Sequence, residues 1–363
     1  MKLLVLGGCA DMAIPLLKRV REDETVSEII LADLDEPKAQ RLAGEYGPKF
    51  RGVPCDATDA PQVTRLMKAC DVAACYVGPF YRFERPLAAC AIEAGVHYVS
   101  IADDYDAYLD VITLDDAARR AGVKILTGFG NSPGITQVLA AKGYHALDRP
   151  RRIHINWCAG AGESVGASNL MHLFHIFEGT TLQWQDGKEI RVQTGTAPKR
   201  VRFPEPIHDA IVYYTGHAES VSLPRNLPGL EEVTLHGGTK PHYIVTLLKL
   251  MRATGAFKTH QRRAALARFF HHVESWFPSG GLDKSVGCVE VIGEKDGREV
   301  SLRYTYVGHI ADITSMPVYL ATKRLCEGAY DDLPGGVYAP ERLLKNPDDF
   351  LEGLKKLGVD IRL

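Results

Sequence analysis

The chain carries almost no surplus of either charge sign. Its 363 residues hold 43 Lys and Arg against 45 Asp and Glu, a formal net charge of -2. Proteins that track a phosphate backbone need an excess of positive charge, and no basic-aromatic platform recurs along the sequence, so no nucleic-acid partner is expected. Long hydrophobic runs are missing too. The opening MKLLVLGGCADMA meets glycines after a few apolar residues, too soon for a membrane span or secretory signal, and reads as a buried first strand. Eight cysteines, Cys9, Cys55, Cys70, Cys75, Cys90, Cys158, Cys288 and Cys326, form no C-x-x-C pair and no Cys/His spacing suited to zinc. They are expected to be buried thiols in a reducing, cytoplasmic setting, with Cys9, inside a glycine turn, as the candidate for a functional thiol. His172 and His175 share a helix face without a third ligand, so core or interface histidines are expected there and no metal site. Repeats and low-complexity segments are absent.

What is present is an ordinary balance, 45% hydrophobic and 24% charged, in a length that exceeds one core. Cores split beyond roughly 250 residues, so two domains are expected. Over the first 130 or so residues, short apolar runs (LLVLGG, EIILAD, FRGVPCD, DVAACYVG, HYVSIA, VKILTG) alternate with segments whose apolar positions recur every three or four residues. That rhythm predicts an α/β domain, a doubly wound parallel Rossmann sheet. DAYLDVITLDDAARRAG reads as one of its helices. After GFGNSPG and the bridging helix ITQVLAAKGYHAL, β-rich arms flank turn dipeptides such as Asp186-Gly187 and Asp296-Gly297, which predicts an α+β domain with hairpins. VTLLKLMRATGAFKTHQRRAALARFFHHVESWF within it reads as helical, with a basic solvated face.

The first strand runs into Gly7, Gly8, Cys9, Ala10, Asp11, Met12 and Ala13, a G-x-A-x-x-A form of the dinucleotide fingerprint. Small side chains let the backbone approach a pyrophosphate, and the following helix N-terminus offers free N–H groups. Asp33 ends the second strand where an acid binds the ribose hydroxyls, with Leu34 beside it. Asp56 and Ala57 follow the third strand, where the adenine would lie, although a helix-cap role for Asp56 stays open. Gly78, Pro79 and Phe80 end the fourth strand at the switch point, facing the nicotinamide half. The acidic run Asp33-Leu34-Asp35-Glu36 predicts NAD over NADP, since a 2′-phosphate would face like charge; Lys38 is the nearby cation.

Order and spacing of VGPF at 77–80, AIEAGVHYVSIADD at 91–104, GNSPGIT at 130–136, GHAESVSLP at 216–224 and GGVYAPE at 335–341 resemble the saccharopine dehydrogenase family. The resemblance covers nearly the whole length and is nearest to members the size of lysine 6-dehydrogenase and carboxynorspermidine dehydrogenase. It implies a Rossmann domain over 1–133, an inserted α+β substrate domain over 134–313, a segment 314–363 returning to the Rossmann domain, and a homo-oligomer, a dimer first. Ser100 departs from it, standing where relatives often carry Asp.

His217 and Glu219, spaced i, i+2 in what reads as an extended stretch, would project to one face as a proton-handling pair or as a structural pair. Asp103 and Asp104 follow the fifth strand, where a carboxylate can hold a substrate ammonium or serve as base. Asn131, Ser132 and Gly134 line the glycine-proline cluster and are candidate substrate contacts, and Arg303 is a candidate partner for a substrate carboxylate, with an ordinary surface-strand arginine as the alternative. Tyr319 and Lys323 match the Y-x-x-x-K spacing of short-chain dehydrogenases, but too late in the chain, and are read as coincidence. The implied function is an NAD-dependent dehydrogenase acting at the amine carbon of a small amino-acid or opine-like substrate. A reductase of polyamine biosynthesis and a non-catalytic dinucleotide-binding regulator are the alternatives.

Overall fold

A computed structural model of the chain describes residues 1–160, 162–163, 167–273 and 282–363. The chain divides into two compact units, one of residues 1–135 and 311–343, the other of residues 136–310 and 344–363.

The first unit is built on a seven-stranded sheet. Strands β1 (Lys2–Leu6), β2 (Glu28–Asp33), β3 (Phe50–Pro54), β4 (Val72–Cys75), β5 (His97–Ser100) and β6 (Lys124–Leu126) take the order β6-β5-β4-β1-β2-β3, all neighbours parallel. Each matches an apolar run of the sequence. Helices α1 (Ile14–Glu22), α2 (Glu36–Tyr46), α3 (Ala60–Met67) and α4 (Phe80–Ala94) make the crossovers. Their starts are written locally: the Asp35 and Asp59 side chains accept the N–H of Lys38 and Gln62, both at 3.0 Å, with a proline in each first turn. Leu4, Leu6, Ile30, Val63, Leu87, Tyr98 and Ile125 form one buried core between sheet and helices, each large apolar side chain contributing roughly 2 kcal/mol by leaving water.

Three features differ from the sequence reading. A seventh parallel strand, Gly336–Tyr338, adds beside β6; at three residues it carries no periodicity to read. The segment expected as one helix divides into α5 (Tyr105–Val111) and α6 (Asp115–Ala121). The Thr113 hydroxyl donates back to the Asp110 carbonyl at 2.6 Å there, a local bond that competes with the helical ladder. The C-terminal segment also divides. Residues 311–343 return to the first unit, whereas 344–363 join the second unit, where strand Asp360–Arg362 pairs with Thr305–Val307 and buries Ile361.

The second unit holds a mixed sheet. Its centre is β7 (Arg149–Gly160), parallel to strand Glu232–Lys240 and antiparallel to strand Ser285–Lys295, which pairs in turn with Arg298–Gly308. Both predicted hairpins form, with Asp186, Gly187, Asp296 and Gly297 all at positive φ. The long stretch read as helical gives two helices, Tyr243–Ala253 and His260–Val273, with its last residues outside those described. No helix among the described residues is long and apolar enough to cross a membrane.

Candidate functional site

The carboxyl edge of the parallel sheet gathers the loops that follow its strands. The Gly7 N–H donates to the Ala32 carbonyl at 2.9 Å, tying the first turn to the end of β2. Gly7 has φ +70°, and a Cβ there would lie 3.0 Å from the Tyr76 carbonyl carbon, so the turn closes only with glycine. A 3-10 turn, Asp11–Ala13, precedes α1, which starts at Ile14 rather than at the fingerprint itself. Ala13 is fully buried and Met12 nearly so, whereas Ala10 is only half-buried, so Ala13 serves close packing where the usual motif has glycine or alanine.

Asp33 is fixed from two sides. One carboxylate oxygen accepts the Cys9 N–H at 3.0 Å and the other the Asp35 N–H at 3.1 Å. Each oxygen keeps a lone-pair direction for a ribose hydroxyl. Leu34 beside it is 77% exposed, a bare apolar surface where the adenosine half of a dinucleotide would rest. The close-packed turn, the held acid and the exposed leucine fit such a group. Lys38 is not free at the surface: its Nζ donates to the Cys9 carbonyl at 2.9 Å. Cys9 loses its candidacy as a reactive thiol, because burial and the charge of Asp33 push its pKa up to about 12.

Asp56 is exposed, and its carboxylate accepts both the N–H and the hydroxyl of Thr58 at 2.8 and 2.7 Å, bonds that hold its pKa below the usual range. It heads a turn beside the half-buried Ala57; the cap of α3 is Asp59, three residues on. Cys55 N–H donates to the Asp33 carbonyl at 2.8 Å, which brings this turn beside the ribose acid.

At the switch point Pro79 caps α4 directly after Gly78, and Phe80 is the buried first residue of the helix. Asp104 is 2% exposed and turns back on the same helix, accepting the Tyr81 N–H at 3.1 Å. Asp103 is half-buried beside it. The 128–134 loop closes on itself. Gly130 and Gly134 form a bridge, Gly130 N–H donates to the Pro133 carbonyl at 3.1 Å, and a Cβ on Gly134 would lie 1.9 Å from the Gly130 carbonyl oxygen. Gly134 therefore shapes the loop that presents Asn131 and the buried Ser132. The sequence reading missed Tyr76 and Ser315, whose hydroxyls lie 3.0 Å apart in the nucleotide unit, with Ser315 also donating to the Met12 carbonyl. Neither belongs to a motif, and 239 residues separate them.

Tyr319 and Lys323 meet neither turn: both bind Asp23, at the far end of α1, at 2.6 and 3.1 Å. Their spacing is a coincidence, as the sequence position implied.

In the second unit the expected extended geometry of His217 and Glu219 does not form. Glu219 is the first residue of a helix, Glu219–Asn226, and Ala218 is already helical, so the two side chains do not alternate as strand residues would. Proline at 224 obscured that helix in the sequence. Glu219 is fully buried and accepts the Thr136 hydroxyl at 2.7 Å. His217, 5% exposed, stacks on Trp157 with ring centroids 5.5 Å apart and planes within 6°. Trp157 lies over Gly237 and Tyr306 over Gly287, where a Cβ would approach the rings to 2.2 and 2.1 Å. Arg303 is one residue from Tyr304 and three from Tyr306 on a strand, so it projects from the opposite face to both. It is exposed and donates to the Arg202 carbonyl, so the structure does not bring it together with His217 and Glu219. The side chains of His172 and His175 lie outside those described, and among the described residues no group of three His, Cys, Asp or Glu could hold a metal.

Residues 4–126 match the family model described as the saccharopine dehydrogenase NADP binding domain. This stretch, about a third of the chain, is thus similar to the nucleotide-binding domain of that family. Solved structures agree on the fold. Saccharopine dehydrogenase (L-Glu forming) from Saccharomyces cerevisiae superposes with a TM-score of 0.70 at 16% identity, over 99% of this chain and 98% of that one. Homospermidine synthase from Legionella pneumophila, solved with NAD, gives 0.63 at 14% identity over 99% and 90%. Amine dehydrogenase from Mycobacterium smegmatis gives 0.53 at 12% identity over 96% and 98%. The saccharopine dehydrogenase architecture, a parallel nucleotide-binding sheet with an inserted mixed-sheet unit, thus spans the whole length.

Proposed function

We propose that the chain is a nicotinamide-dependent oxidoreductase that moves a hydride between NAD and the amine carbon of a small amino-acid or opine-like substrate. The observation that carries this reading is the sheet's carboxyl edge. It sets the ribose acid Asp33 on one side of the switch point and the carboxylates Asp103 and Asp104 on the other. The solved proteins of this fold named above include ones called saccharopine dehydrogenase, homospermidine synthase and amine dehydrogenase, all of which handle carbon–nitrogen bonds by name.

When bound, the nicotinamide accepts the hydride. The chain's own contribution is to hold the dinucleotide and substrate and to handle the proton. Gly7 and Gly8 admit the pyrophosphate and Asp33 holds the ribose. Asp103 and Asp104 would balance the substrate ammonium, and a carboxylate there would take the nitrogen proton; bound NAD would supply the two-electron acceptor for CH–NH to C=N oxidation. NAD is favoured over NADP, although the family domain is named for NADP. A 2′-phosphate about 4 Å from Asp33 meets a repulsion of about 4 kcal/mol at an effective dielectric near 20. The test is a spectrophotometric screen for NADH formation across lysine, ornithine, saccharopine, other opines and polyamines, repeated with NADP. Turnover of an amine supports the reading; cofactor binding without turnover of any of them favours a dinucleotide-binding regulator instead.

A further inference from the structure

The nucleotide unit buries a carboxyl group that neither the nucleotide nor the substrate assignments use. Glu84, on the second turn of α4, has no exposed surface. Three hydroxyls converge on it: Ser100 at 2.6 Å and Thr127 at 2.8 Å on one oxygen, Tyr98 at 2.9 Å on the other. Tyr98 and Ser100 are fully buried and Thr127 nearly so. A buried carboxyl is costly unless hydrogen-bonded throughout, and an apolar residue here would fill a core position more cheaply. Its retention needs a reason.

The partners supply one. Ser100 is the last residue of β5 and its Oγ also accepts the Ala102 N–H at 3.4 Å, at the root of the segment that carries Asp103 and Asp104. Asp104 closes the circuit by accepting the Tyr81 N–H, three residues before Glu84 on the same helix. Thr127 follows β6 at the root of the 128–134 loop, and Phe129 N–H donates to the Ser100 carbonyl at 2.8 Å. One carboxyl group therefore fastens α4, the 101–104 segment and the 128–134 loop to each other. We propose that Glu84 is a positioning residue, the shared anchor that sets the substrate-facing loops of the nucleotide unit. It acts through Ser100 and Thr127 and touches no reacting atom. The role of those loops in substrate binding rests on the proposed function; their anchoring does not.

The anchor works by accepting two hydroxyls on one oxygen and pairing the third on the other, which a glutamine of the same length reproduces: its carbonyl accepts from Ser100 and Thr127 and its amide donates to Tyr98. Burial pushes the Glu84 carboxyl above the usual range against the three hydroxyl bonds, in keeping with a neutral amide serving in its place. Glu84→Leu removes all three bonds at similar volume.

The experiment compares wild type, Glu84→Gln and Glu84→Leu by hydrogen–deuterium exchange, NADH titration and, with whichever of L-lysine or L-saccharopine is turned over, steady-state kinetics. In Glu84→Leu, amide exchange in 101–108 and 128–135 rises about tenfold or more while β1 to β3 exchange as in wild type. The NADH Kd stays within about threefold and kcat/KM falls, whereas Glu84→Gln restores both loops and kcat/KM. Unchanged loop exchange in Glu84→Leu overturns the proposal. So does a rise spread equally over β1 to β3, which makes Glu84 a core-packing residue only, and so does loosening of the loops by Glu84→Gln equal to that by Glu84→Leu. If wild type turns over neither amine, the reaction assignment fails for them while the exchange result still decides the anchor.

Discussion

Asp33 accepts the backbone N–H of Cys9 at 3.0 Å, so the acid that ends the second strand is fastened to the turn that follows the first. One carboxylate thus holds the turn and, in the proposed function, would also hold the ribose. Replacing it with serine removes both the ribose bonds and the charge that repels a 2′-phosphate. Wild type is expected to prefer NAD, and Asp33→Ser to shift the ratio of kcat/KM for NADP over NAD upward by about tenfold or more. Lys38, whose Nζ donates to the Cys9 carbonyl, is the nearby cation expected to temper that preference. A ratio unmoved by the substitution would mean that this acid does not read the ribose.

Asp104 faces the start of α4 from the loop after β5. Asp104→Asn keeps the shape and removes the charge. An ammonium-bearing substrate should then bind more weakly, with KM raised about tenfold, the scale of a charge-assisted hydrogen bond, while NADH affinity measured by fluorescence is unchanged. Equal KM values in the two proteins would move the ammonium site elsewhere.

Gly134→Ala tests the loop geometry without chemistry. A Cβ 1.9 Å from the Gly130 carbonyl oxygen at φ +128° forces the backbone to move, which should cost about 2–3 kcal/mol or more in urea unfolding. Gly44, in the last turn of α2 with nothing within 4 Å of a Cβ, is the control. Gly44→Ala should gain up to about 1 kcal/mol. Equal effects at the two sites would contradict the closed-loop description.

His236 is 5% exposed and stacks on Tyr214 at 4.5 Å. Burial, with Lys199 and His154 adding repulsion, pushes its pKa down to about 3 from the ordinary 6.5. The folded state therefore binds fewer protons than the unfolded one between those values. The stability this neutral imidazole provides is fully present above about pH 6.5 and is lost as pH falls toward 3, with a slope of at most about 1.4 kcal/mol per pH unit. His236→Phe should flatten the stability curve between pH 6 and 4. Parallel curves for the two proteins would assign the acid sensitivity to other groups.

Strands β1 to β6 were legible because each lies in an apolar run between helical or turn segments, which is a local signal. Asp33 was legible for the same reason, since its place follows from counting strands. The strand Gly336–Tyr338 was not, because its three residues are specified by the neighbouring β6 and not by their own pattern. The helix at Glu219 was hidden by Pro224, and with it the i, i+2 argument failed. Glu84 lay inside an amphipathic helix, where one acid reads as solvated surface; only the convergence of Tyr98, Ser100 and Thr127 from two strands reveals it. Contacts made across tens or hundreds of residues leave no local trace.

Trp157 and Tyr306 each lie over a glycine of the neighbouring strand, and the four residues Gly237, Trp157, Gly287 and Tyr306 stand in one row across four strands. A slip of one residue on the Gly287 strand would bring Val286 or Cys288 to the place of the glycine under the Tyr306 ring, and a slip on either aromatic strand would turn its ring to the other face. The row thus works as a gauge during folding: neighbouring strands whose paired residues, Trp157 and Gly287, lie 130 positions apart in sequence are held to one alignment by rings seated over glycines.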